Sequence, residues 1–242
     1  MLVAARASFF ISRAKRWTNP YVTDGLIAMW DAEWNAGPGV HDPNATTWKD
    51  LVGGVEAHAS ASSAMFSFAQ NVCQCNLSSI SAGFGVLVAY LLGDVGLSVR
   101  QIDVVYSSST STSAIAPVCL SGVSSRQFLC ANVSGLIGQV GYSQYGATSV
   151  SRTQLHAYSV VLTGGWPILS AAYADGQSLI ISGYQTAITQ YQPYSQGRIY
   201  LGFKSGGNDV LNLANVRLYS RARTAAEIAA NYAVDKARFN LS

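Results

Sequence analysis

The sequence predicts an all-β sandwich of two antiparallel sheets, preceded by a basic N-terminal arm and followed by a short C-terminal helix. Short segments rich in β-branched and aromatic residues recur along the chain, and turns rich in glycine and serine separate them at the spacing typical of sandwiches. A capping box, Thr224-Ala-Ala-Glu227, predicts a helix close to the C-terminus. The length of 242 residues suits one large β domain, which we place over residues 21–242.

The N-terminal arm, residues 1–20, is rich in basic residues. The formal net charge is +3, and four basic residues but no acidic ones lie in the first sixteen positions. Two of these arginines interrupt the apolar run, which argues against a secretory signal. We expect the arm to dock on a neighbouring subunit or on its own sandwich, and the alternative is a membrane-surface or targeting role. The residues expected to make these contacts are Arg6, Phe9, Phe10, Arg13, Lys15, Arg16 and Trp17.

The rest of the composition is poor in charge. Charged residues make up 11% of the chain, against roughly a quarter in an ordinary soluble domain. Hydroxyls and amides must therefore cover the surface, which suits proteins displayed outside cells or on particles. Without the arm, basic and acidic residues nearly balance, so nothing points to nucleic acid. The most apolar window, residues 83–97, contains Asp94 and four glycines and is too short to span a membrane.

The first two thirds of the chain predict a series of short strands. The run from Leu26 to Asp31 predicts the first strand, and residues 46–51 return the chain to structure after a loop at residues 35–45 that is rich in glycine, proline and asparagine. Further strands are predicted at residues 65–72, 85–92, 97–107, 116–121, 127–132 and 136–142. The serine-rich residues 107–113 predict an exposed loop.

The last third of the chain has clearer patterns. Residues 156–162 alternate as a strand does, and Asp175-Gly176 predicts a type I′ turn in a hairpin over residues 171–181. Residues 198–202 predict the next strand. Because His156 lies in a predicted strand beside buried positions, we expect a core histidine and not a catalytic base.

The closing segment, residues 215–239, predicts a strand, a tight turn and a docked helix. Val216 and Leu218 alternate with Arg217 and Tyr219, the pattern of a strand with one buried face and one wet face. In the helix, Ile228 and Tyr232 share a face, and Lys236 and Arg238 lie where the helix dipole favours cations.

Two blocks, at either end of the predicted sandwich, carry more specific patterns. The closing block has a strand and a capped helix with Val216, Arg217, Leu218, Tyr219, Arg221, Ala222, Arg223, Thr224, Glu227, Ile228, Asn231, Tyr232, Asp235 and Phe239. The opening block has Gly25, Leu26, Ile27, Trp30, Asp31, Trp48, Asp50, Leu51 and Gly53. In these positions the chain resembles laminin-G-like domains of the concanavalin A-like lectin and glucanase superfamily, of the kind found in phage and bacterial surface proteins. Arg223 departs from the pattern, which usually has leucine there. The resemblance implies a concanavalin A-like jelly roll.

Catalysis is the function class that the sequence supports least. A glycoside hydrolase needs two carboxylates close enough to act as acid and nucleophile. The chain has only three glutamates, and Glu227 is already assigned to the helix cap. Asp31 and Glu33 share a face by spacing and are the one candidate pair. The three histidines lie far apart, and no glycine-rich phosphate loop precedes a helix. We therefore expect no enzyme, with a glycoside hydrolase as the alternative.

We expect no cofactor. The resemblance implies calcium at the sandwich rim as an alternative, because oxygen ligands suit this cation. The acidic and amide residues near the first loop are Asp31, Glu33, Asp42, Asn44 and Asp50. They lack a spaced ligand motif, and roles in turns explain Asp42 and Asn44 equally well.

The four cysteines, Cys73, Cys75, Cys119 and Cys130, do not have the spacing of a zinc site. We expect them to be small buried side chains, with a disulfide as the alternative. Cys73 and Cys75 should lie on the same face of a strand.

Sugar recognition needs exposed aromatic faces with polar groups nearby, because pyranose rings present C–H patches flanked by hydroxyls. Trp30 and Trp48 are expected in the core. The aromatic residues predicted at or near loops, and proposed to bind a glycan, are Trp34, His41, Tyr142, Tyr145, Trp166 and Tyr191.

These observations predict a non-catalytic surface-display module, and specifically a phage virion decoration or attachment protein that binds a host glycan. The alternative is a purely structural cement protein of the particle. Expected partners are a host surface glycan and, through the arm, other virion or surface proteins, in a homo-oligomer or larger assembly without nucleic acid or a membrane span. The expected location is the virion surface, with the bacterial cell surface or the extracellular space as the alternative. The virion is favoured because its proteins assemble in the cytoplasm and need no secretion signal.

Overall fold

The computed structural model describes residues 18–69, 71–81, 84–92, 99–109, 115–121, 127–131, 136–139, 144–147, 151, 153–163, 168–182, 196–204 and 208–242. These residues form two antiparallel sheets and one α-helix, α1 (Ala225–Phe239). The strands are β1 (Leu26–Asp31), β2 (Thr47–Lys49), β3 (Glu56–Ala59), β4 (Met65–Ala69), β5 (Val72–Asn76), β6 (Gly85–Leu92), β7 (Gln101–Ser108), β8 (Ile115–Ser121), β9 (Gln127–Ala131), β10 (Leu136–Gln139), β11 (Gln144–Ala147), β12 (His156–Thr163), β13 (Ile168–Ala174), β14 (Gln177–Ser178), β15 (Ile181–Ser182), β16 (Gln196–Lys204) and β17 (Val210–Tyr219).

The described strands form a sandwich of the jelly-roll type, as the sequence predicts. Sheet A has the order β14-β13-β12-β7-β17-β5-β4. Strand β1 pairs with the C-terminal half of β17, on the side where β5 pairs with the N-terminal half. Sheet B has the order β15-β11-β10-β9-β8-β16-β6-β3-β2. All pairs are antiparallel, and neighbours in each sheet are often distant in sequence, so crossovers between the sheets build the fold.

The main core lies between the two sheets. Trp30 of β1 and Trp48 of β2 are fully buried there, as expected. The indole N–H of Trp48 donates to the carbonyl of Asp31 at 3.0 Å, and its ring meets Phe68 edge-on with ring centroids 5.7 Å apart. Because each sheet alternates its side chains, the residues between these core positions point to the two outer faces.

Helix α1 covers the outer face of sheet A. The predicted capping box is confirmed, since the Thr224 hydroxyl accepts from the Glu227 N–H at 3.3 Å and the Glu227 carboxylate accepts from the Thr224 N–H at 2.8 Å. Asn240 ends the helix in the left-handed region, with φ of 51°. Phe239 packs with Val105 and Ala157 of sheet A in a small cluster separate from the main core.

The helix corrects one prediction about β17. The pattern around Arg217 and Tyr219 predicted a wet face, but these residues are 1% and 0% exposed. The prediction was wrong because α1 lies on that face, and alternation reports only that two faces differ. Arg223, which stands where the resembling family has leucine, is also buried and donates to the Asp103 carboxylate.

Several local predictions are confirmed. Asp175 and Gly176 have φ of 49° and 74°, as a type I′ turn requires. Cys73, Cys75 and Cys119 are buried, as expected, and the side chain of Cys130 lies outside the described part of the structure. Cys73 and Cys75 share a face, with their Sγ atoms 3.9 Å apart.

Other strand boundaries differ from the prediction. Residues 65–72 contain the whole of β4 and the first residue of β5, instead of a single strand. The turn between them has neither glycine nor proline to mark it. Strands β3 and β11 were not predicted, because each has only four residues and neither contains a β-branched residue.

The proposed arm contacts from Arg6 to Trp17 lie outside the described residues. None of the described helices is long and apolar enough to cross a membrane.

Candidate functional site

The outer face of sheet B carries an exposed row of polar and aromatic side chains. Ala89 of β6 and Ile199 of β16 point into the core, so the neighbouring Tyr90 and Arg198 point outward. Tyr90 and Arg198 face each other across these strands, and Lys49 faces Glu56 across β2 and β3. The pairing of His58 with Val88 places Glu56, two residues before His58 on β3, on the same outer face as Tyr90. We call Lys49, Glu56, Tyr90 and Arg198 the outer row.

The outer row is open to solvent. The Tyr90 side chain is 46% exposed, and the Arg198 guanidinium lies 5.8 Å from the centre of its ring, within range of a cation–π interaction. The Lys49 ammonium and the Glu56 carboxylate lie 3.8 Å apart. A separation this long between exposed groups makes a weak ion pair, which a ligand can replace at little cost.

Buried apolar side chains lie beside the outer row on the same face of sheet B. Val88 and Tyr200 lie on the same outer face, 7% exposed each, and pack with Cys119 and Phe203. His58, opposite Thr47 and Val88, is exposed beside them. The face therefore combines an aromatic ring with positively charged hydrogen-bond donors and a negatively charged acceptor on paired strands. A pyranose ring needs this combination, because its C–H patches alternate with hydroxyls.

Two of the predicted glycan-binding residues, Trp34 and His41, lie together at one rim of the sandwich. The Arg238 guanidinium lies 4.0 Å from the centre of a Trp34 ring, so this tryptophan serves partly to hold α1. His41 is exposed, and its Nδ1 is 3.1 Å from the carbonyl of Ala32. These two residues are not part of the outer row.

The side chains of the other predicted glycan-binding residues lie outside the described part of the structure. Tyr145 lies on β11, opposite Gly138 of β10, and only its backbone is described. Tyr142, Trp166 and Tyr191 lie outside the described residues.

The candidate carboxylate pair, Asp31 and Glu33, converges on an arginine and not on a groove. Arg238 donates to Asp31 at 2.7 and 3.1 Å and to Glu33 at 2.5 Å. Asp31 also accepts from Asn215 at 2.6 Å and is fully buried. Burial raises the pKa of the Asp31 carboxyl, against the opposing effect of Arg238. Both carboxylates therefore act as partners that fasten the end of α1.

The remaining acidic residues of the first loop also have structural partners. Asp50 accepts from the backbone N–H groups of Met29, Val52 and Gly53 at 2.7, 3.0 and 2.6 Å. Burial raises the pKa of Asp50, while these hydrogen bonds oppose the shift. The Asp42 carboxylate accepts a hydrogen bond from the Asn44 N–H at 2.9 Å, and this bond stabilises a turn. No group of three or more acidic, histidine or cysteine side chains that could hold a metal occurs among the described residues.

A buried charge network holds α1 against sheet A. Arg217 of β17 donates to both carboxylate oxygens of Asp235 at 2.8 and 2.6 Å, and its Nε lies 3.5 Å from Asp103. Arg223 also donates to Asp103 and lies 4.1 Å from the centre of the Tyr219 ring. The two positive charges of the arginines are thus neutralised by the two aspartates, and all four side chains are buried. The network therefore has a structural role in attaching α1 to sheet A.

His156 is a core residue, as expected. It is 5% exposed, and its Nδ1 lies 2.7 Å from the Asp175 carboxylate. The pair ties the start of β12 to the turn after β13, because the Ala157 N–H also donates to Asp175 at 3.0 Å. This geometry gives His156 a structural role at the end of the sandwich.

Sequence reasoning missed the outer row, although a signal was present. Arg198 and Tyr200 alternate with Ile199 and Leu201, which places Arg198 outward, whereas the apolar run Gly85–Leu92 gives no such signal for Tyr90. The pairing of β6 with β16 could not be read from the sequence. The predicted glycan-binding residues were expected at or near loops, whereas the outer-row residues lie on strands.

Comparison with known proteins supports the fold. Neither a family model nor a curated protein sequence matches the chain. Among solved structures, the Trypanosoma rangeli sialidase in complex with sialic acid aligns with a TM-score of 0.57 and 16% identity, over 88% of this chain and 33% of the sialidase. The binding domain of botulinum neurotoxin serotype G aligns with a TM-score of 0.55 and 10% identity, over 87% of this chain and 51% of that domain.

A further structure, described as a receptor binding domain, aligns with a TM-score of 0.57 and 7% identity, over 87% of this chain and 51% of that one. The chain thus spans about a third to a half of the proteins that it resembles. At these identities the likeness shows a shared β-sandwich fold alone.

Proposed function

We propose that this chain is a non-catalytic module that binds glycans on the outer face of sheet B, in the manner of a laminin-G-like domain. The observation that carries the proposal is the outer row, in which the exposed Tyr90 ring faces Arg198 across β6 and β16, with Glu56 on the same face of the sheet. The similar solved structures include a sialidase bound to sialic acid and a receptor binding domain, which supports a recognition role.

Binding to a panel of glycans and to bacterial surface polysaccharides tests this proposal. We expect Tyr90→Ala and Arg198→Ala each to weaken binding about thirtyfold, because truncating a central contact residue costs about 2 kcal/mol and each 1.4 kcal/mol is tenfold. Matched controls are Ile180→Ala, at a side chain 82% exposed, and Lys236→Ala on the exposed side of α1. Unchanged affinity in both outer-row variants would refute this site.

The earlier loop candidates provide a competing location. His41→Ala probes the rim without removing the Trp34 contact to Arg238, and aromatic-to-alanine variants at Tyr142, Tyr145, Trp166 and Tyr191 complete the set. Loss of binding in these variants alone would move the glycan site to these residues and leave the fold assignment intact.

The non-catalytic part of the proposal is supported by the engagement of Asp31 and Glu33 with Arg238. A retaining or inverting hydrolase needs two carboxyl groups free to flank a glycosidic bond. Incubation with the glycans that bind should therefore release no reducing sugar. Turnover that Glu33→Gln abolishes would instead establish a glycoside hydrolase.

For the location of the protein, we propose display on a phage virion, with the bacterial cell surface or the extracellular space as the alternative. It is supported by the low charge of the chain and by the basic, aromatic residues of the arm. Deleting residues 1–17 should abolish incorporation into particles while glycan binding persists. Incorporation without glycan binding in the full chain would favour the purely structural cement role.

A further inference from the structure

We propose that strand β4 is the edge through which two copies of this chain pair, antiparallel about a two-fold axis. Strand β4 ends sheet A, with β5 on one side and no described strand on the other. Met65 is 55% exposed, and Ser67 is exposed as well. An edge strand presents backbone N–H and C=O groups that another strand can bind. This inference does not depend on the glycan site.

The other strands at the ends of the two sheet orders are shorter than β4. The outer side of β1, which lies off this order, is occupied by the bridge from Trp30 to Asp50 and by the hydrogen bond from the Leu51 N–H to the Met29 carbonyl. Strands β14 and β15 have two residues each, and β2 has three, one of which is Lys49. Short length, lysine and proline are the usual means of blocking an edge. Strand β4 has five residues, Met-Phe-Ser-Phe-Ala, with no charge and no proline.

A groove beside β4 offers room for the side chains of a second strand. Its volume is about 580 Å³, and residues 43–46, Ala59, Ala64 and the first three residues of β4 line it. None of the lining residues is charged. Ala45, Ala64 and Phe66 also pack against the main core. A strand that pairs with β4 could place alternate side chains in this groove, which adds apolar contact to the main-chain hydrogen bonds.

The sequence of β4 suits pairing with itself. Antiparallel pairing centred on Ser67 places Phe66 of each copy opposite Phe68 of the other, and aromatic cross-strand pairs are favourable. No like charges oppose each other, whereas self-pairing of β2 would bring Lys49 towards its own copy. A two-fold contact is self-complementary and closes at a dimer, the commonest symmetric assembly. The uncharged groove and edge therefore favour a second copy as the occupant.

Sedimentation equilibrium of the full chain over a range of concentrations tests this inference. The test variant is Ser67→Lys, which places two lysines opposite each other at the centre of the contact. The matched control is Ser178→Lys on β14, an exposed serine at the opposite end of the same sheet. We expect the wild type and Ser178→Lys to form dimers alike, and Ser67→Lys to raise the dissociation constant about tenfold or more.

Circular dichroism and the melting temperature should show that Ser67→Lys folds normally, because this serine is exposed. Hydrogen exchange adds a local readout, since backbone amides of β4 should become protected as the wild-type concentration rises. A wild type that stays monomeric would overturn the inference and leave β4 to an extended segment of another protein. Dimers that Ser67→Lys does not weaken would also overturn it and point to another surface, such as the arm.

Discussion

Replacing Asp235 with asparagine should destabilise the protein strongly, because it removes one of two carboxylates that neutralise two buried arginines. The Arg217 and Asp235 side chains are 2% and 1% exposed, and two hydrogen bonds of 2.8 and 2.6 Å join them. Asparagine keeps the shape and one acceptor oxygen but loses the charge. Arg217 then retains only Asp103, 3.5 Å from its Nε, and Arg223 already shares that carboxylate.

The expected loss is about 3–5 kcal/mol, the usual cost of leaving one partner of a buried ion pair without the other. Such a loss is a large part of the roughly 5–15 kcal/mol that keeps a domain folded. For a chain of this size it corresponds to a fall in melting temperature of about 6–20 °C. Urea denaturation at pH 7, followed by circular dichroism, measures the free energy of unfolding directly.

Two further variants separate charge from shape. Asp24→Asn removes a carboxylate that also pairs with an arginine but is 80% exposed, and it should change stability by less than about 0.5 kcal/mol. The double variant Arg217→Met with Asp235→Leu leaves no unpaired charge and should recover most of the loss. A loss below about 1 kcal/mol in Asp235→Asn, or a double variant no more stable than the single one, would refute this reasoning.

Two other predictions concern the helix cap and a core glycine. A hydrogen bond from Arg221 lowers the pKa of Glu227 from 4.5 to about 2, so the stabilisation by the ionised carboxylate is complete above pH 4.5 and is lost as the pH falls towards 2. Glu227→Gln should therefore melt below the wild type at pH 7, and the gap should narrow by pH 3; a gap that does not change with pH would contradict this cause. Gly202→Ala should destabilise more than Gly54→Ala by about 1–3 kcal/mol in urea denaturation. Both glycines have positive φ, 63° and 73°, but only the added Cβ at residue 202 would meet a side chain, that of Cys75 at 2.7 Å. Equal losses would show that backbone strain alone decides the effect.

The likeness between sequence prediction and structure is closest where the determining interactions are local. The capping box from Thr224 to Glu227 and the turn at Asp175-Gly176 each depend on residues within four positions of one another. Burial of Trp30 and Trp48 followed from apolar patterning in the same way. Prediction failed for the four-residue strands β3 and β11, which contain no β-branched residue, and at the junction of β4 and β5, which has no glycine or proline.

The sequence by itself determined the class of fold, the capped helix and the scarcity of surface charge. Only the tertiary structure decided which distant side chains meet. Asp31 and Asn215 are 184 positions apart, and Glu33 and Arg238 are 205 apart, yet each pair forms a hydrogen bond that gives the candidate acid pair a structural role. The outer row likewise exists only because β6 pairs with β16, and β3 with β6. The connections between the sheets determine which strands become neighbours, and no local pattern in the sequence predicts that pairing.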